Sequence, residues 1–501
     1  MDNQNNDADI IVIGSGFAGS VAAARLTQAG KSVIVLERGP WRDTEPVREA
    51  GIQQRKPLPS TGGMLGLIRS LRLPKGPKKG LRLNKHGYLE LWVDEGIKVP
   101  CTSNVGGGSH IWAAVIDRPA AGFWDGMAEG VSDQVMTPHY DQVSAELKAV
   151  QPANTANMPN HPDCIWQNSD FFTPLEPGEQ PPLGIYLPEQ EANTAQLCGD
   201  TKVSRQPTDL AGDSGLFGSP NGAKSTVDAL YLIPALQQGL QVKDMHEVMQ
   251  VSSRGEGGYE ILARNLRAGS ELTLRAPQVI LCAGTMNTNT LLFNSRDAGG
   301  LSGLDALGQG FGTNGDIMGK WPSDGRDSVQ GTPSHGRIKI KGHEATTYIM
   351  QGAGVVPPLP SFLRKKARKS AGESFLVIAM GADAADGKIW SDKGRIRMSY
   401  DMNHSPCFGE AAKAFETLTT LSGRKVEFDD KSVVTAHPLG GCRIADNRQE
   451  GCVNGYGEVY GHPGLYVADA SIFPRPTGVP PSLSIAAWAS HVATSLLKQT
   501  T

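Results

Sequence analysis

The stretch ADIIVIGSGFAGSVAAARLTQAGKSVIVLERG, residues 8–39, decides the fold. Residues 9–13 form a short apolar run that stops at Gly14, Gly16 and Gly19, spaced as GxGxxG. Residues 22–26 continue as a helix, and residues 32–36 form a second apolar run that ends on Glu37. The order strand, glycine turn, helix, strand predicts a parallel βαβ unit. Gly14 permits the tight turn, Gly16 lets main chain approach a pyrophosphate, and Gly19 lets the helix sit close on the sheet. The helix N-terminus offers orphan N–H groups and a positive dipole end to phosphates. Glu37 stands where a carboxylate accepts both hydroxyls of an adenosine ribose and repels a 2′-phosphate. On these residues alone FAD and NAD both remain open.

The rest of the chain sets bounds. Its 501 residues exceed what one core usually serves, so two domains are expected. Forty-eight basic against 51 acidic side chains leave a net charge of −3, which gives no global reason to bind nucleic acid. The seven cysteines are scattered, without CxxC or paired Cys/His spacing, so no metal site is expected and a reducing compartment is favoured. The polar start MDNQNNDADI and the lack of any 18-residue apolar run predict a soluble, cytoplasmic protein. Sixty glycines and 33 prolines are dispersed without period, as in a loop-rich enzyme.

Three further segments carry chemistry. VPCTSNVGGGSHIWAAVIDRP (99–119) puts three glycines in a row, which lets main chain pass against a flat or anionic ligand; a flexible surface loop is the alternative. HPGLYVADASIFPRPTGVPPSLSIAAWASHVATSLL (462–497) reads as a buried strand at 465–468 and then a helix from Pro481, with Leu483, Ile485, Ala486, Ala489, Val492 and Leu496 facing a core. TAHPLGGC (435–442), taken alone, reads as a turn, because Pro438 biases His437 away from helix and two glycines follow.

GSGFAGSVAAARL, VGGGS, LRAPQVILCAGTMNTNTLL, GQGFGTNGDIM, HPLGGC and LYVADASIFP occur in this order over most of the length. In these segments the chain resembles the glucose-methanol-choline (GMC) oxidoreductases, in their bacterial cholesterol oxidase-like branch. The resemblance implies an α/β fold: a Rossmann-type FAD-binding domain (1–50, 91–124, 201–319 and 431–501) with a substrate domain and lid (51–90, 125–200 and 320–430) built on an antiparallel sheet. It implies FAD, with Gly14, Gly16 and Gly19 at the pyrophosphate, Glu37 at the ribose and Val248 at adenine, and with Phe17, Ala18 and Arg38 also in the cofactor site. Gly107, Gly108, Ser109 and His110 would run along the pyrophosphate and isoalloxazine edge, Ala283 and Gly284 would join the cofactor site, and Asp469 and Ala470 would meet the ribityl chain. Pro481 and Ser482 would open a helix aimed at the flavin pyrimidine, where its dipole stabilises negative charge.

By the same resemblance His437 becomes the active-site base for hydride transfer from an alcohol carbon to flavin N5. Glu373 is the candidate for a second acid over the flavin, or else an ordinary loop residue. The sequence departs from the family in two places. Pro480 stands where relatives carry histidine or asparagine, and Ala113 and Ala114 follow the glycines where an asparagine is usual. His110 replaces that asparagine as a hydrogen-bonding group, carries a covalent flavin bond, or is structural.

The alternations at 337–350 and 395–402 suggest strands roofing a pocket. The basic segment 69–85, with Met64, Leu65, Leu67, Ile68 and Leu71, reads as a lid touching a membrane or hydrophobic substrate, or as a solvated loop; RKKARK at 364–369 is a second basic cluster. The expected reaction is oxidation of a bulky, hydrophobic small-molecule alcohol, with oxygen or an unknown oxidant as acceptor. The alternatives are a lyase-like enzyme keeping FAD structurally, a sugar or glycoside dehydrogenase, and a flavoprotein scaffold.

Overall fold

The computed structural model describes residues 6–59, 67–150, 170–176, 178–187, 196–208, 216–323, 332–350 and 374–499. The opening stretch folds as β1 (Ile10–Ile13), α1 (Phe17–Gln28) and β2 (Val33–Leu36). β1 pairs in parallel with β2 on one side and with β4 (Gln278–Leu281) on the other. β3 (Gln241–Lys243) joins beyond β2 and β5 (Leu465–Val467) beyond β4, giving a five-stranded parallel sheet. Every residue of IIVI and VIVL is buried, which is why these strands are continuously apolar rather than alternating. Gly19 is required by packing, since a Cβ there would stand 1.9 Å from the Gly14 carbonyl oxygen.

Two further helices complete this layer, α2 (Thr285–Asp297) and α3 (Ser482–Gln499). Leu483, Ala486, Ala489, Val492 and Leu496 of α3 are buried as expected. Ile485 departs from that face: it is half-buried and lines the cavity described below. Helix Asp133–Glu146, expected in the substrate region, attaches here instead. Arg25 of α1 donates to both Glu146 oxygens at 2.7 and 2.8 Å, and Tyr140 donates to Ser484 Oγ at 2.7 Å.

A six-stranded antiparallel sheet forms the second layer. Its order is Glu427–Phe428, Ile317–Pro322, Ser374–Met380, Thr346–Met350, Ser334–Ile340 and Phe172–Thr173. The alternation at 337–350 is therefore a hairpin of this roof. The strand Arg395–Ser399 is not part of it, pairing instead in a separate three-stranded sheet with Gly387–Asp392. The basic segment at 69–85 is not a loose loop either. Ile68–Arg72 and Leu81–Arg82 pair within a sheet that also contains Leu89–Asp94, Ile97–Thr102 and Val433–Val434. A domain boundary at residue 90 would cut that sheet. Met64, Leu65, Glu373 and residues 364–369 lie outside the described residues.

Among the described residues, Cys101, Cys198, Cys282, Cys407, Cys442 and Cys452 are free thiols. Among them, too, no helix is long and apolar enough to cross a membrane, and no His/Cys/Asp/Glu group could hold a metal ion.

The contact between helix Asp133–Glu146 and α3 has an acid-sensitive element. His139 accepts or donates at Ser490 Oγ, 2.9 Å away, and packs edge-on against His491. Burial and the neighbouring His491 lower the His139 imidazole to about 4, and burial also lowers His491. Both protonate more readily in the unfolded chain, so stability is full above the ordinary histidine range and is lost as pH falls from about 6.5 toward 4. Because His139 is partly exposed, we expect it to contribute on the order of 1–2 kcal/mol of that loss, after screening. Melting temperatures of wild type and His139→Gln, followed from pH 7 to 4.5, should diverge at the upper end and converge on acidification. Parallel curves would exclude His139 as the sensor.

Candidate active site

Two glycine loops meet under a cavity of about 690 Å³. Gly14 adopts φ +101°, and a Cβ there would stand 2.3 Å from the Cys282 carbonyl oxygen. A Cβ on Gly107, at φ +52°, would stand 2.6 Å from the Gly16 Cα, so neither loop tolerates a side chain where they touch. A Cβ on Gly16 would meet nothing nearer than the Gly107 Cα at 3.9 Å, so this main chain is open to a ligand. Gly14, Gly16, Phe17, Ala18, Glu37, Arg38, Gly107, Gly108 and Val248 all line the cavity. So do Ala283, Gly284, Asp469, Ala470, Pro481 and Ser482.

The polar groups in this wall are anchored. Glu37 accepts from Gly39 N–H at 2.7 Å and from the Ser15 hydroxyl at 2.7 Å. Burial pushes its carboxyl above the usual carboxylate range, and those hydrogen bonds oppose the rise. Arg38 is held at 2.8 Å by buried Glu90, whose carboxyl stays well below its usual range because Arg38 and Arg72 outweigh its burial. Asp469 accepts from Gly284 N–H at 2.8 Å and from Ser471 Oγ at 2.6 Å, tying the end of β5 to the start of α2.

Ser109 and His110, expected beside the cofactor, are absent from the lining. The Ser109 hydroxyl donates to the Gly106 carbonyl at 2.7 Å and accepts from Val227 N–H at 3.1 Å, which makes it a loop clasp. His110 is fully buried, with Nε2 3.2 Å from an oxygen of equally buried Asp228. An imidazole so enclosed is a structural partner, which removes it as a site of covalent flavin attachment. Gly19, as shown above, acts through helix packing and does not line the cavity.

His437 does line it, and its placement rests on a residue the sequence reading missed. The loop 312–316 runs beside the histidine segment, where Gly312 and Leu439 exchange two main-chain hydrogen bonds of 3.0 Å. Asn314 at φ +58° and Gly315 at φ +65° turn that loop so that Asp316 faces His437. Nδ1 of His437 lies 3.0 Å from each oxygen of Asp316, which is fully buried. Asp316 also accepts from Thr435 Oγ1 at 2.8 Å and Ala436 N–H at 3.1 Å. Gly440, at φ +78°, is required because a Cβ there would stand 1.9 Å from the Gly310 carbonyl oxygen. The glycines thus do form a turn, and the turn serves to hold His437 in the cavity wall. Asp316 sits in GQGFGTNGDIM, but no periodicity marks its role; only the approach of segments 121 residues apart creates it.

Models of the GMC oxidoreductase family match residues 202–301 and 379–489, and a model of FAD-binding domains matches residues 9–47. The chain belongs to the GMC oxidoreductases. It is 27% identical to a cholesterol oxidase of Mycobacterium tuberculosis, covering 97% of this chain and 90% of the relative. A cholesterol oxidase of Acinetobacter baumannii is 26% identical (98% and 94% covered), and a 2-methyl-1,2-propanediol dehydrogenase of Mycolicibacterium austroafricanum 22% (98% and 95%). Among solved structures, pyridoxine 4-oxidase from Mesorbium loti superposes with a TM-score of 0.65 at 17% identity, covering 98% of this chain and 99% of that one.

This GMC oxidoreductase is an FAD-dependent enzyme acting on CH–OH donors, of the cholesterol oxidase-like branch. The residues present fit FAD: the main chain at Gly16 and Gly108 is open, the Glu37 carboxylate is in the wall, and Val248 and Gly284 border the same space. The wall supplied by the antiparallel sheet is Met318, Met350, Leu376 and Ile378, and α3 adds Ile485. Pro480 also lines the cavity, on a loop that Asn314 holds by donating to the Val479 carbonyl at 2.9 Å and accepting from Gly478 N–H at 3.0 Å.

Proposed function

We propose that this enzyme oxidises the CH–OH group of a bulky, apolar alcohol, with His437 accepting the hydroxyl proton. One observation carries the reading: His437 stands in the cavity wall with Nδ1 3.0 Å from both oxygens of the buried Asp316 carboxylate. That contact assigns the proton to Nδ1 and leaves Nε2 as the acceptor. FAD, when bound, supplies the hydride acceptor at N5. The chain supplies proton removal through His437, whose ring Asp316 orients from behind. Pro480 has neither an N–H nor a polar side chain, so His437 works without a polar partner from that position.

The apolar substrate follows from Met318, Met350, Leu376, Ile378 and Ile485 in the wall. Each methylene buried against them is stabilised by about 0.8 kcal/mol. A sugar would leave hydroxyls unpaired against the same surface at about 1–3 kcal/mol each, which disfavours a sugar or glycoside dehydrogenase. Sterols and long-chain alcohols, named for relatives of this chain, have the required character. The free thiols accord with a cytoplasmic setting.

Anaerobic mixing of the FAD-loaded protein with sterols, terpenoid alcohols and sugars, followed at the flavin band near about 450 nm, tests this reading. We expect bleaching by an apolar alcohol and none by sugars; admitting air then separates oxidase from dehydrogenase. If no alcohol bleaches the flavin, the lyase-like alternative replaces this reading.

A further inference from the structure

Between Arg69 and Lys85 seven side chains are basic and none is acidic, in a chain whose net charge is −3. The three arginines are accounted for by the fold. Arg72 meets Glu90 at 2.7 Å, Arg82 meets Glu247 at 2.6 Å, and Arg69 donates to the Lys85 carbonyl at 2.5 Å. Lys78 and Lys79 differ. They sit in the turn between strands Ile68–Arg72 and Leu81–Arg82, are exposed, and have no ion pair among the described residues. Both nevertheless line the cavity, together with Val248 and Gln250 from the strand His246–Ser253. Two unpaired ammonium groups therefore border the cavity whose glycine-lined part fits a dinucleotide.

FAD carries two negative charges on its diphosphate, and a chain of net charge −3 opposes its approach from a distance. We propose that Lys78 and Lys79 steer FAD into the flavin-free protein, by attracting the diphosphate toward a cavity mouth where cationic groups outnumber acidic ones. Steering acts before contact, so it raises the association rate and leaves dissociation unchanged. It also weakens as salt shortens the Debye length from about 30 Å at 0.01 M to about 3 Å at 1 M.

The experiment is stopped-flow quenching of flavin fluorescence as FAD binds the full-length chain freed of flavin, at low and high salt. Charge reversal in K78E/K79E should slow association about tenfold at low salt. K78R/K79R should keep the wild-type rate. The gap between wild type and K78E/K79E should close near 1 M salt, with dissociation rates the same within about twofold. Equal association rates at low salt would overturn the proposal. So would a slow K78R/K79R variant, because the charge would then not be the cause. Faster dissociation with unchanged association would also overturn it, by making the lysines direct ligands of bound FAD. Turnover is not read at any step, so the outcome is independent of the substrate and of His437.

Discussion

Replacing His437 with alanine is expected to slow anaerobic flavin reduction by a substrate alcohol about 10²- to 10⁴-fold, the range of a lost acid–base group. The expectation rests on the ring lining the cavity with Nδ1 committed to Asp316. Alanine removes the acceptor and leaves the loop intact, because Asn289 Nδ2 donates to the Gly440 carbonyl at 3.1 Å and Thr285 Oγ1 to the Pro438 carbonyl at 2.6 Å without help from the ring. FAD content and melting temperature should therefore change little while reduction collapses. A variant that reduces its flavin at the wild-type rate would remove His437 from the chemistry and leave 435–442 as a turn alone.

Asp316→Asn should produce the second-largest loss, about 10²- to 10³-fold in kcat/KM, although Asp316 stands behind His437 and does not line the cavity. The amide keeps an oxygen for Thr435 and Ala436, which donate at 2.8 and 3.1 Å, so the loop is preserved. What disappears is the negative charge against Nδ1, and with it the preference for the tautomer that exposes Nε2. A second readout separates this positioning role from mere structure. The loss should fall on kcat, with KM and melting temperature near the wild-type values, because the charge acts on the base and not on substrate binding. A loss carried by KM, or matched by a fall in melting temperature, would show that Asp316 only braces the loop. Asp383 provides a control nearby: it is buried, accepts from Thr313 N–H at 2.6 Å and from Tyr400 OH at 2.7 Å, and is held above the usual carboxylate range by burial and by Asp316. Its partners are Thr313 and Tyr400 rather than His437, so Asp383→Asn should leave kcat near the wild-type value.

Much of the cofactor half is legible in the sequence because its constraints are local. The GxGxxG spacing, the apolar runs on either side and the closing Glu37 all fall within one βαβ unit, so their geometry follows from residues close in sequence. The glycines of 435–442 were equally readable as a turn, for the same reason. Ser109 and His110 were misplaced because adjacency to Gly107 and Gly108 says nothing about which way a side chain leaves a 3₁₀ turn; both point into the protein interior, toward Val227 and Asp228.

The sequence by itself determined the nucleotide fold, the dinucleotide-binding glycine loop and the family resemblance that implies FAD, because each depends on short-range spacing or on the order of segments. Only the tertiary structure decided that His437 has a carboxylate behind it, that the strands at 68–82 are built into a sheet, and that Lys78 and Lys79 border the cavity. Each of these depends on contacts between residues far apart in the chain. Such contacts are set by how the layers pack, and no local propensity or period records that packing.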